Sequence, residues 1–197
     1  MNSVKGNLSV PACLPGILLP AVAVAHGGAD GHSGFVAGFL HPLGGADHLL
    51  AMLAAGFWAV QLGGRAIWLL PSVFVAAMSL GGMAGLAGMD LPLMEVAIFF
   101  SAPVFGAMIA LGYRLSLSVA ISLVGFFALF HGWAHGAEIP QAADAAGYDF
   151  GFVLATLALN ACGLLLGLLV RGTRCLYAQR YAGGAIICVA FLFSAVH

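Results

Sequence analysis

The sequence predicts an all-α fold, a polytopic membrane helix bundle of six transmembrane helices after a cleavable signal peptide. Three observations predict it. Hydrophobic residues fill 62% of the 197 positions and charged residues only 7%, too few to clothe a water-facing surface. The apolar residues fall into runs near the ~20 that cross a hydrocarbon core. The basic residues beyond the first 25 positions fall in connections that alternate to one side. A net charge of −1 with no basic patch excludes nucleic acid as a partner. The length suits one bundle rather than two domains.

The first element is the leader, 1–25. Lys5 precedes an apolar stretch that ends in Ala23-Val24-Ala25, a cleavage site of the A-x-A kind. Cleavage makes His26 the mature terminus and leaves 26–197 as the transmembrane domain. Prolines at 11, 15 and 20 weigh against a spanning helix there, the alternative being an uncleaved anchor. The spans follow at 42–62, 66–87, 91–112, 116–137, 150–170 and 178–196. Pro42 sits at the first turn of the first span, where its missing N–H costs nothing. Gly81 with Gly85, and Gly163 with Gly167, would let helix backbones approach closely. The acidic, Ala-rich segment 138–148 reads as an external loop.

Charge sets the orientation. An exported mature terminus puts Arg65, Arg114, Arg171, Arg174 and Arg180 inside, with Asp30, Asp90, Asp144 and Asp149 outside. The protein is then a multi-pass protein of a bacterial inner membrane, with both termini external. Cysteines add little: Cys13, Cys162, Cys175 and Cys188 form no CxxC pair, so neither a disulfide framework nor a thiolate zinc site is indicated.

Two polar clusters interrupt the apolar runs. One is His41-Pro-Leu-Gly-Gly-Ala-Asp47-His48, opening span 1; the other is His131-Gly-Trp-Ala-His135-Gly-Ala-Glu138, closing span 4. Imidazoles and carboxylates are costly in a bilayer and mark a task. His131, His135 and Glu138 at i, i+4 and i+7 share one helix face. His41 and His48 also share a face if span 1 is a regular helix. They would then lie about two turns apart, too far for one ion unless Gly44 and Gly45 bend the chain or the two serve successive stations. The topology puts His48 at the depth of His131, so both clusters belong to the external half.

Other polar residues have weaker claims. Glu95, one turn into span 3, reads as a proton carrier, a partner to a histidine, or an end residue reaching for the interface. Asn160, on one stripe with Thr156 and Gly163, serves either inter-helix hydrogen bonding or substrate contact. The tail from His26 to His32 either captures metal or leads into span 1. Met52, one turn below His48, is the one methionine placed to act as a soft ligand.

The combination His41-Pro-x-x-Gly-x-Asp47-His48-x-x-x-Met52 with His131-Gly-x-Ala-His135-Gly-x-Glu138 resembles the HupE/UreJ family of hydrogenase and urease accessory membrane proteins. The resemblance runs along the whole chain and includes Glu95 with Ser101 in span 3. It implies a nickel permease, with cobalt as another substrate in some members. The first motif is also similar to the H-x4-D-H signature of another nickel/cobalt transporter family, here with H-x5-D-H spacing. Relatives are expected to carry His where this chain has Asn160, a weaker metal ligand.

The expected function is therefore transport and not an enzyme's, and the transporter is read as secondary because no P-loop or other nucleotide-binding motif appears. A divalent ion, nickel or alternatively cobalt or zinc, would pass to His41, Asp47, His48, His131, His135 and Glu138. Accessory roles are open to His26, His32, Glu95 and Asn160. No resident cofactor is expected; the partners are the metal substrate and the lipid bilayer, with a functional link to hydrogenase or urease maturation. The competing readings are a zinc-dependent intramembrane hydrolase and a metal-sensing accessory subunit.

Overall fold

A computed structural model describes residues 34–139, 144–173 and 177–194. The leader, with its cleavage site, and the tail histidines His26 and His32 lie outside the described residues. Those described form seven helices: α1 (Gly34–Gly44), α2 (Ala46–Leu62), α3 (Ala66–Leu86), α4 (Met94–Leu111), α5 (Leu117–Glu138), α6 (Ala145–Gly172) and α7 (Ala178–Ser194). Four of them, α3 to α6, are long and apolar enough to cross a membrane. The bent pair α1 and α2 makes a fifth candidate, and α7 is a shorter apolar helix of 17 residues. Six full-length spans are thus not what the helices display; four or five are.

The first span departs most from expectation. Pro42 does not open a helix at 42. It lies buried inside α1, which starts at Gly34, and the chain breaks at Gly45 before α2 begins. The two helices meet at 83°. A Gly-Gly pair is a common cause of such a break, and the packing against α6 holds the angle. A Cβ at Gly38 would overlap the Tyr148 carbonyl, and one at Gly151 the Phe35 carbonyl. The expected loop 138–148 is also shorter than read, because α5 runs to Glu138 and α6 already begins at Ala145.

Helix α3 packs along α5, α6 along α1 and α2, and α4 along α7 and α2. Glycines permit the closest of these contacts, as the sequence predicts. Side chains at Gly81 or Gly85 would strike the Leu129 or Trp133 carbonyl of α5, and one at Gly163 the Leu53 carbonyl of α2. Between the helices lie Trp58, Leu70, Phe74, Phe105 and Ile109, all fully buried. Outward, Trp68 is 76% exposed and Leu169 68%, an apolar exterior fit for lipid rather than water.

The bundle has two chemically distinct ends. At one, the Gln61 side chain of α2 donates from Nε2 to the Ile109 carbonyl of α4 (3.0 Å) and to Oε1 of Gln179 in α7 (3.2 Å). The arginines Arg65, Arg114, Arg171 and Arg180 lie in or beside the connections of that end. At the other end, Trp133 donates to the Met89 carbonyl (2.6 Å) beside Asp90, and His41 meets Glu138. The separation of basic from acidic connections seen in the sequence holds among these described residues.

Candidate metal centre

The bend at Gly45 decides the geometry of the site. It lays the end of α1, carrying His41, and the start of α2, carrying Asp47 and His48, against the last turns of α5. The imidazoles then form a continuous ladder. Ring centroids are 4.6 Å apart for His41 and His135, 4.3 Å for His135 and His48, and 4.5 Å for His48 and His131. His135 is thus the shared rung. His41 and His48, two turns apart on a straight helix, both reach it because the helix is not straight.

At the open end of the ladder, Nε2 of His41 lies 3.3 Å from Oε2 of Glu138. One ligand atom each from His41, His135 and Glu138 lie within 4.8 Å of one another. Ligands of a tetrahedral ion bound at about 2.0–2.1 Å stand roughly 3.3 Å apart, so modest side-chain rotation suffices to close this group around one ion. Glu138 is exposed and His135 only 4% exposed, giving one wet and one dry side to the group. A cavity of about 210 Å³, lined by Met78, Gly82, His135, Gly136, Tyr148 and Phe152 among others, reaches His135 from between α3, α5 and α6.

At the start of α2, Asp47 Oδ1 accepts from the His48 backbone N–H and lies 2.8 Å from His48 Nδ1. A carboxylate only accepts, so Nδ1 carries the proton and His48 offers the lone pair of Nε2. That Nε2 is buried and has no hydrogen-bond partner among the described residues. The carboxylate–imidazole arrangement is the one that orients a metal-binding histidine. Asp47, the more exposed of the two, is therefore placed beside His48 as an orienting anion, and its position in the first turn of α2 suits the positive end of the helix dipole. Both nitrogens of His135 and Nδ1 of His131 are likewise buried without partners. Orphaned polar atoms are rare inside proteins and costly inside membranes. These four nitrogens belong to three rings, and each neutral ring has one lone pair to offer, so the cluster supplies three nitrogen donors of the kind a borderline divalent metal takes.

The HupE / UreJ protein family matches residues 14–193 of this sequence. The chain belongs to the HupE/UreJ family. It is also similar to Protein HupE of Rhizobium leguminosarum bv. viciae, 42% identical over 177 residues, which is 90% of this chain and 92% of that protein. No solved structure matches it. With its several membrane-length apolar helices, this HupE/UreJ chain is a membrane protein.

The remaining candidates of this HupE/UreJ chain stand apart from the ladder. Glu95 is exposed in the first turn of α4 and does not join the group of His41, His135 and Glu138. Asn160 is buried on α6, two turns beyond Phe152; its Nδ2 donates to the Thr156 carbonyl (3.0 Å) while Oδ1 has no partner among the described residues. Met52 is fully buried in the core below His48. Three further residues touch the histidines directly: Phe152 and Tyr148, which sequence reasoning gave no role, and Ser101, which it named only as part of the family resemblance. The Phe152 ring centroid is 4.1 Å from that of His135, Tyr148 is 5.8 Å from His41, and Ser101 Oγ is 2.9 Å from His131 Nε2. Ser101 was legible as the lone hydroxyl between Glu95 and the end of α4; the two aromatics look like any others in an apolar helix.

Proposed function

We propose that this protein is a secondary permease that moves a divalent transition metal, nickel foremost, across the inner membrane toward the cytoplasm. The observation that carries the reading is the four-imidazole ladder. It starts at the half-exposed His41–Glu138 pair and ends at the fully buried His131. Imidazole and carboxylate suit nickel, cobalt and zinc alike, and their order of affinity does not by itself pick one. The family link to hydrogenase and urease accessory proteins favours nickel, delivered for maturation of such an enzyme.

The ion first exchanges water for His41, His135 and Glu138. The shared rung His135 then lets it pass to His48 and His131 by ligand exchange over neighbouring rings, with Asp47 offsetting its charge. Inward of His131 the way is closed by aromatic rings. Phe127 lies one turn below His131 on α5; its ring is 5.4 Å from Phe105, which is 6.1 Å from Trp58. All three are buried. Inward passage requires this layer to part, after which the arginine-rich end faces the cytoplasm. The membrane potential contributes about 2.3 kcal/mol per charge per 100 mV, doubled for a divalent ion. No covalent chemistry is assigned to the site.

The test is radioactive nickel uptake by cells that lack other nickel permeases. Wild type is compared with His135→Ala at equal membrane abundance, with cobalt and zinc as competitors. Uptake lost in the variant supports the reading and ranks the metals. Equal uptake by both overturns it. Hydrolysis of lipid esters or amides by purified protein would favour the intramembrane hydrolase instead.

A further inference from the structure

Ser101, on α4, lies against the innermost rung of the ladder. Its Oγ makes two short contacts, 2.7 Å to the Ile98 carbonyl and 2.9 Å to His131 Nε2. A serine hydroxyl has one proton and can accept as well as donate. The Ile98 carbonyl only accepts, so the hydroxyl proton must lie on that contact. If it pointed to His131 instead, two oxygens would face each other at 2.7 Å with no proton between them. The second contact is then an N–H of His131 donated to Ser101 Oγ. Nε2 therefore carries the ring proton and Nδ1 carries the lone pair. Nδ1 is the nitrogen of His131 that is buried without a partner, in a ring 4.5 Å from His48. Ser101 and His131 are both 0% exposed, so bulk water does not compete for the bond.

We propose that Ser101 is a positioning residue: it sets the tautomer of His131 so that Nδ1, not Nε2, is presented to the metal ion. The proposal rests on His131 belonging to the metal path. It makes the two buried rings complementary. Asp47 accepts the Nδ1–H of His48 and leaves Nε2 free, while Ser101 accepts the Nε2–H of His131 and leaves Nδ1 free. A neutral hydroxyl serves at the deeper, fully buried ring, where a carboxylate would be a charge shut away from water, unlike the part-exposed Asp47. That arrangement keeps the inner station weaker than the outer one, as release inward requires.

The test is ¹⁵N solid-state NMR of ring-labelled protein in lipid bilayers, with the His131 signals assigned by their loss in His131→Gln. Metal-free wild type should show His131 protonated at Nε2. Ser101→Ala should shift the ring to the other tautomer or a mixture, and Ser101→Thr, which keeps the hydroxyl, should restore it. Zinc, a diamagnetic probe, should move the Nδ1 signal in wild type, and its affinity should fall about 10- to 100-fold in Ser101→Ala. His131 protonated at Nδ1 in wild type overturns the proposal, as does an unchanged tautomer in Ser101→Ala or a zinc shift at Nε2. The tautomer is read without metal. If wild type binds no metal at all, the permease reading fails on that result, separately from the outcome for Ser101.

Discussion

Replacing Gly45 by alanine isolates the Asp47–His48 bond. Gly45 has φ −107° and ψ 120°, ordinary extended backbone that alanine adopts freely. Its added Cβ would lie 2.8 Å from Asp47 Oδ1 and 3.1 Å from His48 Nδ1, where ordinary contact begins at 3.4 Å. The carboxylate must therefore retreat by about 0.6 Å, which stretches the 2.8 Å bond to His48 to the edge of hydrogen-bonding range. A hydrogen bond to a charged group contributes about 1.5–3 kcal/mol, and loss of a partner that orients a metal-binding histidine weakens binding about 10- to 100-fold. The two figures agree through the factor of ten per 1.4 kcal/mol. Gly44→Ala is the matched control, since its Cβ meets nothing within 4 Å. The assay is calorimetric titration of nickel into both variants in lipid nanodiscs. Gly45→Ala should lose about 10- to 100-fold in affinity and Gly44→Ala less than about threefold. Wild-type affinity in Gly45→Ala would refute the reasoning. Equal losses in both would show that helix geometry, not the bond, governs the site.

Other expectations follow from the same packing and chemistry. Gly132→Ala puts a Cβ into the Met78 carbonyl and should destabilise the α3–α5 contact by about 1–3 kcal/mol or more. Gly82→Ala, whose Cβ would meet the Gly132 carbonyl at an ordinary 3.6 Å, should not; thermal unfolding in detergent compares the two, and equal midpoints would contradict the packing. Glu138→Gln removes the exposed carboxylate beside His41 and should raise the KM for nickel uptake several-fold with little change in maximal rate. A fall in maximal rate alone would place Glu138 deeper in the cycle. Phe105→Ala opens the aromatic layer at a stability cost of about 3–5 kcal/mol. In a His48→Ala background it should raise the passive nickel leak of proteoliposomes, and an unchanged leak would show that the barrier lies elsewhere.

Much of the arrangement of the candidate site is legible in the amino-acid sequence. The i, i+4, i+7 spacing of His131, His135 and Glu138 needs only a helix to put them on one face, and α5 is that helix. Matching the depth of His48 to that of His131 requires only the alternation of spans, and their rings do meet. The first span shows where such reasoning stops. Pro42 fits a first helical turn and fits the inside of a short broken helix equally well by local rules. The Gly44-Gly45 pair announces a break without giving its angle. The 83° bend depends on how Gly38 and Gly151 seat α1 against α6, contacts between segments more than a hundred residues apart. The bonding of Ser101 is hidden for a similar reason: its partner sits thirty residues away on another helix. Apolar periodicity gives little help with helix ends, because lipid-facing and core-facing residues are both hydrophobic.

The central claim is that an ion crosses by way of the imidazole ladder. It is tested most directly by nickel flux into proteoliposomes that contain this protein alone and enclose a fluorescent chelator, with an inside-negative potential imposed. Wild type should admit nickel faster than protein-free vesicles, faster still as the potential grows, and His48→Ala should fall to the protein-free rate. Flux in His48→Ala equal to wild type, or none in wild type above empty vesicles, would contradict the account.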